Sequence, residues 1–141
     1  MAEDYRLNPY LTVRDAAGAI DFYTKALGAK EVTRMPAEDG KRLMHAEIEV
    51  NGAYVMLADE FPEFAQNSAP VKAPTESNPP PVAIVLHFKT PGEVDALYEQ
   101  ALAAGCASIM PPDDTFWNAR FAGIRDPYGH RWMLNAPLAP A

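Results

Sequence analysis

Few side chains in this sequence can do chemistry. The 141 residues contain three histidines and one cysteine. His45 and Glu47 stand two apart in the stretch LMHAEIEV. In a strand, alternation puts both on one face, with Met44, Ala46, Ile48 and Val50 on the other. An imidazole beside a carboxylate can exchange protons near neutral pH, as general acid–base catalysis requires. The plainer reading is a solvated face with a weak ion pair. His87 alternates with Ile84, Leu86 and Phe88. It should therefore point away from a covering helix, either as a polar handle for a ligand or as a buried imidazole bonded to a neighbour. His130 follows the turn Asp126-Pro127-Tyr128-Gly129 and is expected to be exposed.

The segment Phe116-Trp117-Asn118-Ala119-Arg120 combines two large aromatics with a guanidinium. Aromatics offer a ligand area, and arginine offers a fork for an anion. Equally, Phe116 and Trp117 suit a core or dimer interface, with Arg120 paired to Asp113 or Asp114. Met56, Met133 and Trp132 fit an apolar lining or a plain core, and Cys106 suits a buried strand start. A phosphate-binding glycine loop, a nucleophile elbow and Cys/His ligand spacing are all missing, as is a doubly wound nucleotide-binding pattern.

These residues need elements to hold them. Leu7 to Val13 alternates as a strand, with Asn8, Tyr10 and Thr12 on one face. Asp15 can cap a helix that carries Ala16, Ile20, Tyr23 and Leu27 on one stripe and ends at Gly28. Strands are predicted near 30–36, 42–50 and 53–59, turned by Asp39-Gly40 and Asn51-Gly52. Prolines punctuate 60–81, which reads as a long connection without regular structure. The pattern then restarts. A strand is predicted over 81–89, a helix runs from the Thr90 cap to Gly105 with Val94, Leu97, Tyr98, Ala101 and Leu102 inward, and strands follow near 106–110, 116–125 and 130–135. Gly28 and Gly105, Gly52 and Gly129, and Met56-Leu57 and Met133-Leu134 each differ by about 77 positions, which marks a duplication. The same offset relates Asn8 to Val85 and Tyr10 to His87.

The bulk composition narrows the classes. At this length one domain is expected, large enough to bury a core. A net charge of -7 argues against nucleic acid, and the chain has neither a basic run nor an apolar span to hold a membrane. A lone cysteine allows no intrachain disulfide and suits the cytoplasm. The N-terminus, MAEDYRLNPY, lacks the features of a signal peptide.

The stretches NPYLTVRDAAGAIDFYTKALGA and FAGIRDPYGHRWML resemble the opening of one module and the close of another in the vicinal oxygen chelate (glyoxalase/bleomycin-resistance/dioxygenase) superfamily. RMPAEDGKRLMHAEIEVNGAYVMLADEFPE and FWNARFAGIRDPYGHRW are similar to its PhnB-like branch, often labelled as related to 3-demethylubiquinone methyltransferase. The likeness covers about residues 5–136. It implies an α+β fold of two βαβββ modules, about 5–60 and 81–136, joined by the Pro-rich connection at about 61–80. The likeness also implies that the modules form an incomplete barrel around a cavity. Metal-dependent members place a His or Glu on the first and last strand of each module, suited to a divalent cation. Here those positions fall on Asn8, Met56 or Leu57, Val85 and Met133. None is a His or a carboxylate, so no metal and no cofactor is expected. Where relatives often show Gly-Asp, this chain has Asn118-Ala119.

The resulting expectation is a metal-free protein that holds an aromatic or amphipathic small molecule through Tyr10, His87, Trp117, Arg120, Met56 and Met133. The alternatives are an enzyme using His45, Glu47 or His87 without a metal, and a structural or regulatory dimer. A homodimer is expected because open sheets leave edges that need cover.

Overall fold

The structure, a computed structural model, describes residues 5–64 and 71–139. Residues 65–70 of the expected connection lie outside the described residues. The order is β1 (Tyr10–Val13), α1 (Ala16–Leu27), β2 (Lys30–Pro36), β3 (Leu43–Val50) and β4 (Ala53–Asp59), then β5 (Ala83–His87), α2 (Pro91–Ala104), β6 (Ala107–Asp114), β7 (Ala119–Arg125) and β8 (Arg131–Pro137). Each half builds its own four-stranded sheet, ordered β1-β4-β3-β2 and β5-β8-β7-β6. The first strand of each half runs parallel to the last, and the other pairs are antiparallel. This is the duplicated βαβββ arrangement, and the two sheets do not close into one barrel.

Local chemistry sets the element ends. The Asp15 side chain accepts from the Gly18 N–H and starts α1. Thr90 and Glu93 form a capping box behind Pro91 and start α2. Asn51 and Gly52 both have positive φ, at 51° and 81°, as the tight β3–β4 hairpin requires. Where the sequence suggested an irregular connection, Pro62–Phe64 makes a short 3₁₀ turn and Thr75 bridges Asn78.

Several predicted boundaries move: β1 begins at Tyr10 rather than Leu7, β5 spans Ala83–His87 rather than 81–89, and the β6–β7 hairpin is redrawn. β6 continues past 110 to Asp114, and its register is irregular between Met110 and Asp113, where Pro111 and Pro112 cannot donate to a ladder. Phe116 and Trp117 lie in a turn rather than a strand: the Thr115 and Asn118 backbones close the β6–β7 hairpin, with Asn118 at φ 65°.

α1 covers one face of the first sheet, α2 covers one face of the second, and the helices pack against each other. Ile20 and Tyr23 from α1, Val13, Ile48, Val50 and Leu57 from sheet one, and Val94, Ile124, Trp132 and Leu134 from the second half are almost wholly buried. The halves therefore share one core, built on the helix-facing sides of both sheets. No strand of one sheet packs on a strand of the other among the described residues.

Two buried carboxylates organise this core. Asp59 accepts the backbone N–H groups of Asp15, Ala16 and Leu43, tying α1 to β3 and β4. Asp126 accepts the Tyr128 and His130 N–H groups through Oδ1, and the Tyr23 hydroxyl and Trp132 indole through Oδ2, at 2.6 and 2.8 Å. Asp126 thereby links the β7–β8 turn to α1 of the other half.

The N- and C-caps reveal an asymmetry in the repeat. Gly28 and Gly105 differ by 77 positions, but Asp15 and Thr90 differ by 75, because α2 has 14 residues and α1 has 12. Ahead of the helices the offset is therefore 75. Tyr10 pairs with Met56 as Val85 pairs with Met133. The equivalences of Asn8 with Val85 and of Tyr10 with His87 are corrected accordingly: Tyr10 matches Val85, and Asn8 matches Ala83.

Removing the Tyr23 hydroxyl (Tyr23→Phe) should cost about 1–3 kcal/mol, and Asp126→Ala, which strands four donors, should cost more. Urea unfolding of both variants beside wild type measures this, and equal costs would refute the ranking. Alkali should also weaken the fold. Burial, then the Asp126 charge, pushes the Tyr23 phenol well above its ordinary 10.0. Burial first, then Asp126, pushes the Cys106 thiol from 9.0 up to about 12. Both groups hold their protons more tightly folded than unfolded, so their contribution is complete below the unfolded values and is lost as pH rises. Unfolding free energy should be level up to about pH 8.5 and fall between 9 and 12, and Cys106→Ala should flatten part of that decline.

Candidate ligand-binding faces

Since the helix-facing sides form the core, the opposite sides of the sheets are where a ligand can be met. On sheet one, register aligns Tyr10, Met56, Glu47 and Thr33 across all four strands. His45 lies on the same face, paired with Met35. The Tyr10 hydroxyl and His45 Nδ1 are 2.8 Å apart, with ring centroids at 5.5 Å. Tyr10 remains half exposed, and partial burial raises its phenol pKa.

Glu47 is only 3% exposed although it sits on the side away from α1. Tyr5 covers it, donating its hydroxyl to Glu47 Oε2 and packing its ring 5.1 Å from Tyr54. His45 and Glu47 do share a face, as alternation predicts. No hydrogen bond or ion pair joins them; each is partnered by a tyrosine instead.

Sheet two presents Val85, Met133 and Gly123 in one row and His87, Asn135 and Phe121 in the next. A side chain at Gly123 would start 3.0 Å from Met133 Sδ and 3.3 Å from Ile109 Cβ, so glycine lets both lie flat over the sheet. Asn135 Nδ2 lies 3.3 Å from His87 Nδ1. Trp117, also half exposed, extends this face from the hairpin turn, edge-on to Phe121 at 6.0 Å and to Phe116 at 4.9 Å.

Within one chain, then, the expected ligand residues divide into two groups. Tyr10 and Met56 are together with His45 and Glu47; His87, Met133 and Trp117 are together on the other sheet. Arg120 belongs to neither and is corrected. It faces α2 and binds Asp95 at 2.9 Å and Asp114 at 3.1 Å. Asp114 was one of its two anticipated partners, whereas Asp95 comes from a helix 25 residues earlier. His130 is corrected too: it is partly buried, and its Nε2 donates to the Thr12 carbonyl at 2.9 Å, joining the two halves. Tyr5 and Tyr54 were not anticipated. Tyr54 was findable, being two residues before Met56 on one strand face; Tyr5 precedes any periodic segment and gave no signal.

The positions expected to match the metal ligands of chelating relatives offer few donor atoms. The Asn8 amide is spent donating to the Tyr54 carbonyl at 3.0 Å. Ala83 or Val85 has no donor atom, and Met56 and Met133 offer thioethers, which are poor ligands for hard cations. Leu57 is fully buried on the helix side. No three His, Cys, Asp or Glu side chains gather at ligating distance among the described residues.

The chain is similar to several known proteins. The "uncharacterized protein Rv0887c" of Mycobacterium tuberculosis (strain H37Rv) is 42% identical over 132 residues, 94% of this chain and 74% of that protein. Protein PA1353 from Pseudomonas aeruginosa superposes with a TM-score of 0.73 at 25% identity, over 96% of this chain and 100% of that one. The PhnB protein from Bacillus cereus, described as a putative 3-demethylubiquinone-9 3-methyltransferase, shares the fold at a TM-score of 0.68 and 22% identity, over 96% of this chain and 100% of that one. A family model for the glyoxalase/bleomycin resistance protein/dioxygenase superfamily matches residues 6–134. With the duplicated βαβββ modules and the open sheet faces, that match places this chain in the glyoxalase/bleomycin resistance protein/dioxygenase superfamily.

Proposed function

We propose that this protein binds a small aromatic or amphipathic molecule without a metal, against the open sheet faces. The observation that carries this reading is the sheet-one face itself. Buried Glu47, partly buried His45 and half-exposed Tyr10 hold fixed polar positions beside the apolar Met56 surface. A few placed polar groups among apolar and aromatic ones are what small-molecule sites share. Because His45 and Glu47 each engage a tyrosine rather than one another, binding is favoured over acid–base catalysis by that pair.

Sheet two supplies the complementary half: Trp117, Phe121 and Met133 for area and His87 for polarity. The two faces belong to different sheets that do not meet, so the site is completed when a second copy lays its sheet two over sheet one. Val85, Ile109, Met35 and Trp117, all more than 40% exposed in one chain, provide the apolar surface for this contact. No helix is long and apolar enough to cross a membrane among the described residues, and the buried, unpaired Cys106 suits a reducing cytoplasm.

Light scattering at micromolar concentration should give twice the chain mass; a monomer would refute the shared site. A fluorescence screen of flat aromatic compounds should give hits that Trp117→Ala weakens about tenfold, since a stacked ring adds about 0.5–1.5 kcal/mol beyond its burial. Tyr10→Phe should weaken the same hits by a smaller factor. Compounds bound equally by all three proteins would show that these faces are not the site.

A further inference from the structure

Six of the seven arginines fall into two sets. Arg34, Arg42 and Arg120 each hold a carboxylate between 2.6 and 3.1 Å away. Arg14, Arg125 and Arg131 make no ion pair, yet all three line one cavity of about 300 Å³. In a chain of net charge -7, three guanidinium groups without an ion pair around one space, more than the carboxylates that line it, are not accounted for by solubility.

The fold forces this arrangement. Arg125 ends β7 and Arg131 begins β8, and the two sit directly opposite each other across the antiparallel pair. Like charges in that relation destabilise a hairpin. Arg14 arrives from the segment between β1 and α1. Its Nη1 donates to the Pro74 carbonyl at 2.7 Å and its Nη2 to the Pro127 carbonyl at 3.1 Å, which fixes the guanidinium while leaving its charge unpaired. The Pro74 wall is held close because residue 129 is glycine: a Cβ there would lie 2.7 Å from Pro74 Cβ, and Gly129 has φ 92°. Two acidic residues also line the cavity. Asp126 is occupied by its four donors, and Glu76 makes no hydrogen bond or ion pair.

We infer that this cavity is a second binding site, at the turn end of sheet two where Arg125 and Arg131 continue the open face one row beyond Gly123 and Met133, for a small molecule carrying a phosphate group. A dianion answers the like-charge pair, and guanidinium forks match its tetrahedral oxygens. The volume is at the small end of ligand pockets, enough for a phosphate and a short organic body.

The test titrates the full chain with inorganic phosphate by calorimetry and thermal unfolding, at ionic strength matched with chloride. Arg125→Gln, Arg131→Gln and Arg34→Gln run alongside; the last removes the same charge elsewhere. Wild type and Arg34→Gln should bind phosphate saturably and gain thermal stability from it. Arg125→Gln and Arg131→Gln should bind about tenfold more weakly, the scale of one charged hydrogen bond. Without phosphate these two should unfold no earlier than wild type, since each relieves the repulsion. Wild type that fails to saturate, equal affinity in all four proteins, or acetate binding as well as phosphate would overturn the assignment.

Discussion

The Asp126 carboxylate is the point on which the two halves depend. It carries a charge in the core and is 3% exposed, a placement tolerable only when every lone pair is used. Its four donors come from its own turn, from β8 and from α1 of the other half. The turn residues Tyr128 and His130 fix the hairpin, and the Trp132 indole is drawn inward as the largest fully buried side chain. Tyr23 then brings α1 against the second module, where Gln100 of α2 also donates to the Lys25 carbonyl. Taking away the carboxylate would loosen a turn, a strand and an interface together.

That junction determines what remains available for binding. Because the helices and the helix-facing sides of both sheets are consumed by the shared core, each sheet has one side left over. The polar groups on the leftover side of sheet one are satisfied pairwise, Tyr5 with Glu47 and Tyr10 with His45, so the face can stay ordered without a ligand. The leftover side of sheet two is apolar around Val85, Gly123 and Met133, with His87 and Asn135 as a polar pair at one end and Arg125 opposite Arg131 at the other. This difference in character is a reason for the two faces to seek each other rather than their own kind.

Much of the fold was legible because it rests on short-range signals. Asp15, Thr90, Gly28 and Gly105 bound the helices as caps should, and Asn51-Gly52 marks its hairpin. Alternation placed His45 with Glu47 and Tyr10 on the side away from α1. What failed depended on distance or on length. Arg120 is claimed by Asp95 across 25 positions, and His130 by the Thr12 carbonyl across 118, pairings that no local pattern announces. The repeat offset is 77 at the helix ends and 75 at their starts, because α2 is two residues longer than α1, a difference the glycines at the helix ends do not carry. Phe116 and Trp117 carry a strand signal, since aromatics favour strands, but Asn118 at positive φ makes a turn there and β7 begins after it.

Cys106 follows the Gly105 cap, with its N–H on the Ala101 carbonyl and its thiol in the neighbourhood of Asp126. As the chain's one sulfhydryl, it is a built-in clock for the junction between the modules. A thiol so shielded reacts only in molecules that have opened there, so its labelling rate counts excursions of that region without any mutation. Compared with the rate of amide exchange in β2, an edge strand, it would tell whether the halves part before the chain unfolds or only with it.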